Sequence, residues 1–124
     1  MALQESGEMY LETILVLSKN PEPVRSLDIA RYMGYSKPSV SRAMGILRTE
    51  ELIEVDDNGY ITLTAEGKKI AKTIYERHVV ISEILISLGV DKKTAEEDAC
   101  RIEHVISPKT FKTLKKYHKE HQQK

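Results

Sequence analysis

The chain has 124 residues and a mass of 14.1 kDa, which suits one domain, or one small domain with an extension, and excludes a full α/β barrel. Nineteen Lys and Arg balance nineteen Asp and Glu, so any contact with nucleic acid must come from a local patch and not from a basic coat. No apolar run approaches the roughly 18 residues of a membrane span, the first residues lack the basic flank and apolar run of a signal peptide, and Cys100 has no second cysteine to pair with. A cytoplasmic protein with a reduced thiol is expected.

In chain order, a first helix is expected from about Ser6 to Ser18, with Leu11, Ile14, Leu15 and Val16 as its apolar positions and Asn20-Pro21-Glu22-Pro23 as its stop. Ser26 is the expected N-cap of a second helix that reaches Met33 and is broken by Gly34. Ser36 caps a third, with Pro38 in the first turn, where a missing N–H costs nothing. The period then changes. Leu52–Val55 and Tyr60–Leu63 are β-prone, and Asn58-Gly59 between them is a hairpin signal. Thr64 caps a long helix over about 65–88, ended by Gly89. Asp91 caps another to about Val105, and Ser107-Pro108 opens the last. The fold class is mainly α: a winged helix-turn-helix with a two-stranded wing over 1–64, then a helical domain over 65–124.

Spacing supports the helix-turn-helix. Ala30, Gly34 and Val40 stand at offsets 0, 4 and 10, supplying a small residue at the helix crossing, a glycine for positive φ in the turn, and a β-branched lock. On the third helix Val40, Ala43, Met44 and Leu47 share one face, and Pro38, Ser41, Arg42 and Gly45 the other. Residues 24–48 carry five bases and one acid, whereas residues 50–57 carry five acids and no base. That asymmetry orients the chain on double-stranded DNA. Arg42 is the expected base reader, Lys37, Ser39 and Ser41 phosphate contacts, and Pro38 part of the same surface. Arg48 is placed nearer the core. The lysines of the last helix are expected to face solvent.

Cys100, Glu103 and His104 stand at i, i+3 and i+4 on one helix, so thiolate, carboxylate and imidazole share a face within about one turn. Such a donor set holds a transition metal. Met9 and Glu12 repeat the i, i+3 spacing on the first helix, and His78 lies on the long one. Each residue alone has an ordinary structural reading: a buried thiol, a packed methionine, a satisfied histidine.

These residues, together with Glu8-Met9-Tyr10-Leu11-Glu12, Thr62-Leu63-Thr64 with Gly67, Arg77-His78 and Ala99-Cys100-Arg101-Ile102-Glu103-His104-Val105, resemble the DtxR/MntR family of metal-dependent transcriptional repressors over nearly the whole chain. The resemblance implies that Met9, Cys100, Glu103 and His104 form the metal site of the iron-responsive branch, and that Glu12 and His78 match ligands of a neighbouring metal in the manganese branch, with Glu103 able to serve both. The chain mixes the branches: the manganese branch has carboxylates where Met9 and Cys100 stand, and the iron branch has an arginine where Glu12 stands. The iron branch's ancillary site also wants a glutamate where Ser82 stands and a histidine where Glu96 stands. Soft thiolate and thioether donors favour Fe(II), with Mn(II) and, in vitro, other divalent transition metals as further occupants.

The implied function is a metal-responsive regulator: a homodimer that binds a palindromic operator when loaded and represses metal-uptake genes, without the SH3-like domain of longer members. Ile70, Ile74, Ile81, Ile84, Leu85 and Leu88 on the long helix are expected to feed the dimer interface. The alternative is a metal-independent winged-helix regulator with a structural Cys/His cluster. Catalysis by a Cys100–His104 dyad is not expected, because no oxyanion-hole motif accompanies it, and no small-molecule substrate or membrane partner is expected.

Overall fold

The computed structural model describes residues 5–121. Six helices and one hairpin follow in order: α1 (Glu5–Leu17), α2 (Ser26–Met33), α3 (Lys37–Thr49), β1 (Ile53–Val55), β2 (Ile61–Leu63), α4 (Ala65–Ser87), α5 (Lys92–Val105) and α6 (Pro108–His121). They fall into two compact units that divide between Lys72 and Thr73, inside α4.

The first unit is a winged helix. Its core gathers Leu11 and Ile14 of α1, Ile29 and Ala30 of α2, Val40, Met44 and Leu47 of α3, and Ile53 and Ile61 of the hairpin. The opening of α4 joins through Ile70 and Ala71. Gly34 adopts the positive φ that the turn requires, at 73°, and its N–H donates to the Ala30 carbonyl at 2.9 Å. Ser36 caps α3 by accepting from the Ser39 N–H, with Pro38 inside the first turn. The N-cap of α2 is Arg25 and not Ser26: the Asp28 carboxylate reaches back to the Arg25 N–H at 2.9 Å, which supplies the return bond of a capping box without a hydroxyl.

The hairpin is antiparallel, with Ile53 facing Leu63 and Val55 facing Ile61. Asn58 and Gly59 both lie in its turn, as expected. The Asp56 N–H donates to the Tyr60 carbonyl, which leaves three residues in the loop, and Asp56 Oδ1 accepts from the Asn58 and Tyr60 N–H groups at 2.9 Å each. Only Gly59, at φ 80°, takes positive φ there. That pattern is a three-residue loop with glycine in the left-handed position. A further bond from Ile61 N–H to the Val24 carbonyl, 2.7 Å, ties the segment before α2 to the sheet.

Gly67 is required by space and not by φ. A Cβ there would collide with the backbone carbonyl of Leu52, the same carbonyl that accepts from the Thr64 N–H. Thr64 caps α4 by accepting from the Gly67 N–H at 3.1 Å while its hydroxyl donates to the Glu51 carbonyl at 2.8 Å.

In the second unit, Val80 and Ile84 of α4 pack with Phe111 and Leu114 of α6 and with Ile106. Lys115 pairs with Glu76 and His118 with Glu83, both at 2.9 Å, which fastens α6 to α4. Asp91 caps α5 through the Thr94 N–H at 3.0 Å, and this bond holds its carboxyl below the usual aspartate range. The apolar face of α4 is consumed largely within the chain: Ile74, Ile81 and Ile84 are buried and Ile70 and Leu85 half-buried, leaving Leu88 exposed beside Ile86. The amount of apolar sequence on α4 is therefore not by itself a sign of an interface.

Candidate metal centre and nucleic-acid interface

The Cys-x-x-Glu-His face forms on α5 as its spacing requires. Cys100 Sγ, a Glu103 carboxylate oxygen and a His104 ring nitrogen all lie within 4.8 Å of one another. Glu103 is wholly buried, and Cys100 and His104 are half-buried. Across from α5, on α4, His78 Nδ1 stands 3.2 Å from Glu103 Oε1. With Nδ1 as the donor, the ring keeps its lone pair on Nε2, the tautomer a ligating histidine needs. The other carboxylate oxygen, Oε2, has no hydrogen-bond partner among the described residues. A carboxylate sealed from water with one oxygen unsatisfied is costly unless a cation completes it. The residues present thus fit a divalent transition metal, by donor chemistry and by that orphaned oxygen. His78 and Cys100 also line a broad open cleft of about 900 Å³, with Lys92, Glu96 and Arg101 around it, which gives an ion a way in.

Met9 and Glu12 lie one turn apart on α1, both half-buried, on the side turned away from Leu11 and Ile14. Ser82, at the ancillary position, and Glu83, one place beyond it, are both committed elsewhere. The Ser82 hydroxyl donates back to the His78 carbonyl at 2.7 Å, and Glu83 is engaged by His118.

Arg77 has a part that spacing did not reveal. Its Nη1 donates to the carbonyls of Glu103, at 3.0 Å, and Ile106, at 3.1 Å, and its guanidinium lies 5.5 Å from the Phe111 ring centroid. It therefore clamps the last turn of α5, where Glu103 and His104 sit. Only its place beside His78 in the sequence hinted at this.

On α3, Val40, Met44 and Leu47 are buried, while Lys37, Pro38, Ser39, Ser41 and Arg42 are all exposed. The Ser39 hydroxyl also accepts from Ser36 at 2.8 Å. Arg48 is exposed as well, contrary to its expected place nearer the core, because Met44 and Leu47 complete the packed face without it. Arg25, one of the five bases, is turned to the wing: its Nη2 donates to the Tyr60 hydroxyl at 3.0 Å, and its guanidinium stacks 4.8 Å from that ring. On α6, Lys109, Lys112, Lys116 and Lys119 are exposed, as a solvated face requires.

Among the described residues no helix is long and apolar enough to cross a membrane. Residues 2–61 match the iron dependent repressor N-terminal DNA binding domain, and residues 64–124 match the iron dependent repressor metal binding and dimerisation domain. The chain is 34% identical over 112 residues to the transcriptional regulator MntR of Escherichia coli O6:H1, covering 90% of this chain and 72% of that protein. It is 32% identical over 115 residues to an uncharacterised HTH-type transcriptional regulator of Methanocaldococcus jannaschii, covering 91% of this chain and 92% of that one. Among solved structures, that of the manganese regulator SloR superposes with a TM-score of 0.81 at 30% identity, covering 94% of this chain and 54% of SloR. The chain thus spans about half the length of that regulator. With a DNA-binding half and a metal-binding half each matched in the right order, the chain belongs to the DtxR/MntR family of metal-dependent transcriptional repressors.

Proposed function

We propose that the chain is a transcriptional regulator whose hold on a palindromic operator depends on Fe(II), and that it represses metal-uptake genes as a homodimer. The observation that carries the metal dependence is Glu103: a buried carboxylate, one oxygen on His78 and the other without a partner among the described residues, beside a thiol and an imidazole. Cys100, Glu103 and His104 would hold the ion. His78, Met9 and Glu12 are assigned as further ligands from their residue types and the family pattern. When bound, the cation supplies the positive charge that offsets Glu103 and a common point for donors from more than one helix.

The chain's own residues do the rest. Arg77 holds the turn of α5 that carries Glu103 and His104. Arg42 reads base edges, with Lys37, Ser39 and Ser41 on phosphates and Pro38 beside them. Residues 1–64 form the DNA-binding domain and 65–124 the dimerisation and metal-binding domain. Exposed Ile86, Leu88 and Val105 are the apolar groups that a second copy would cover. Ligation and operator binding are linked, so the operator must tighten metal binding by the factor by which metal tightens operator binding.

The test is anaerobic binding to a promoter library with Fe(II), with Mn(II) and with chelator, at one salt concentration. Binding with Fe(II) at lower free concentration than with Mn(II), and none with chelator, is expected. The reverse order of metals would place the chain in the manganese branch, and equal binding in chelator would leave a metal-independent winged-helix regulator.

A further inference from the structure

The recognition helix carries two residues that packing does not explain. Gly45 sits in the interior of α3, where glycine is destabilising relative to alanine. Its φ is not positive, and a Cβ built on it meets nothing within 4 Å. The protein therefore gains nothing within itself from the missing side chain. Ile46 follows it, 54% exposed on a helix whose other large apolar residues are buried. Ile46 stands one turn beyond Arg42, on the same side of the helix. From Lys37 to Thr49 the helix carries three bases and no acid, so the surface around this pair suits a polyanion such as DNA.

Resting on the DNA-binding reading above, we propose that Ile46 is a specificity-determining residue that contacts the 5-methyl group of a thymine in the major groove, at a step where Gly45 lets the helix backbone come close to the DNA. The chemistry is direct. Thymine is the one base that presents a methyl group in the major groove, and an aliphatic side chain is its natural partner. A guanidinium on Arg42 and a branched aliphatic group on Ile46 read different bases of one half-site.

The experiment begins with selection from a random duplex library by the Fe(II)-loaded full chain. Failure to enrich any sequence would overturn the regulator reading, and this proposal with it. Each thymine of the enriched half-site is then replaced by deoxyuridine, which removes only the methyl. Wild type should lose about fourfold in affinity at one position per half-site, the worth of one buried methyl. Ile46→Ala should bind dT and dU there equally, and Ile46→Val should keep the discrimination. Gly45→Ala should raise the thermal midpoint yet weaken operator binding. Deoxyuridine tolerated at every position, or full discrimination kept by Ile46→Ala, would overturn the thymine contact. Unchanged operator affinity in a stabilised Gly45→Ala would overturn the close approach.

Discussion

His78 Nδ1 and Glu103 Oε1 stand 3.2 Å apart, with the carboxylate at 0% exposure and the imidazole side chain at 26%. The pair joins α4 to α5 and leaves Glu103 Oε2 without a hydrogen-bond partner among the described residues. Removing one partner of a buried polar pair is normally destabilising, whereas a neutral isostere that keeps the hydrogen bond is tolerated. Glu103→Gln should therefore keep the unloaded fold, with a thermal midpoint equal to or above that of wild type. The same variant should lose Fe(II) affinity by about a hundredfold or more, since ligand positions exceed the 10–100-fold of their supporting shell. Anaerobic calorimetry beside thermal unfolding in chelator checks both. A large fall in the unloaded midpoint with metal affinity intact would make Glu103 a structural residue only.

In the proposed site, Cys100 is the donor that would separate a borderline metal from a hard one. Its Sγ lies within 4.8 Å of Glu103 and His104 donor atoms. Replacing thiolate by carboxylate at this point hardens the site without moving the helix. Cys100→Asp should shift the balance toward Mn(II): the ratio of Mn(II) to Fe(II) concentrations giving half-maximal operator binding should fall on the order of tenfold, about 1.4 kcal/mol. An unchanged ratio would show that Cys100 does not touch the ion.

The helix order, the turn glycine and the caps were legible because they depend on residues close in sequence. Ser36, Thr64 and Asp91 each accept from an N–H three residues on, and Val40, Met44 and Leu47 recur at helical spacing. The convergence of Cys100, Glu103 and His104 was legible for the same reason, since one turn of α5 holds all three. What spacing could not give is whatever depends on packing between distant segments. The Val24–Ile61 bridge joins residues 37 apart, the Arg77 clamp spans 26 and 29 positions, and the complete burial of Glu103 comes from neighbouring elements and not from α5 alone. In sequence, Arg25 counts toward a DNA-facing patch because its charge is visible there, while its bond to Tyr60, 35 residues on, is not.

Asp91 gives the acid side of the stability profile a specific cause. Its folded carboxyl is held below the usual range by the Thr94 N–H and hydroxyl. The cap therefore contributes fully above the ordinary aspartate value and is lost as pH falls through the lowered one. Asn caps as well as Asp but does not titrate. Asp91→Asn should flatten the loss of stability below the usual aspartate range while leaving neutral stability nearly unchanged, as read from urea midpoints at a series of acid pH values. Parallel profiles for the two proteins would show that the cap is not a titrating contributor.

Arg77 tests whether the turn of α5 that carries Glu103 and His104 is held from α4. Two carbonyls accept from a single guanidinium nitrogen, and the plane of the group rests near Phe111. Lysine keeps the charge but loses the planar donor geometry and the stacking. Arg77→Lys should cost about 2 kcal/mol, the range for hydrogen bonds to a charged group. It should also speed amide exchange at the end of α5 more than in α1 or α3. Uniform exchange across the chain would argue that the clamp is a general contribution to stability and does not hold that turn in particular.

Gly67 carries the sharpest steric prediction. The atoms that an added Cβ would meet are the carbonyl oxygen and carbon of Leu52, which are backbone and cannot swing aside. That carbonyl already accepts from the Thr64 N–H at 3.1 Å, and Thr64 in turn caps α4 and holds the Glu51 carbonyl. Relief of the clash must therefore come by displacing β1 from the start of α4 or by opening the cap. Gly67→Ala removes the entropic penalty of glycine in a helix, which alone would stabilise by about 1 kcal/mol. Overpacking against fixed backbone costs about 1–3 kcal/mol and should win. The urea midpoint of Gly67→Ala should fall with the slope unchanged, since the native surface stays nearly the same. A midpoint at or above that of wild type would mean that β1 and α4 separate easily and that Thr64 does not fix their approach.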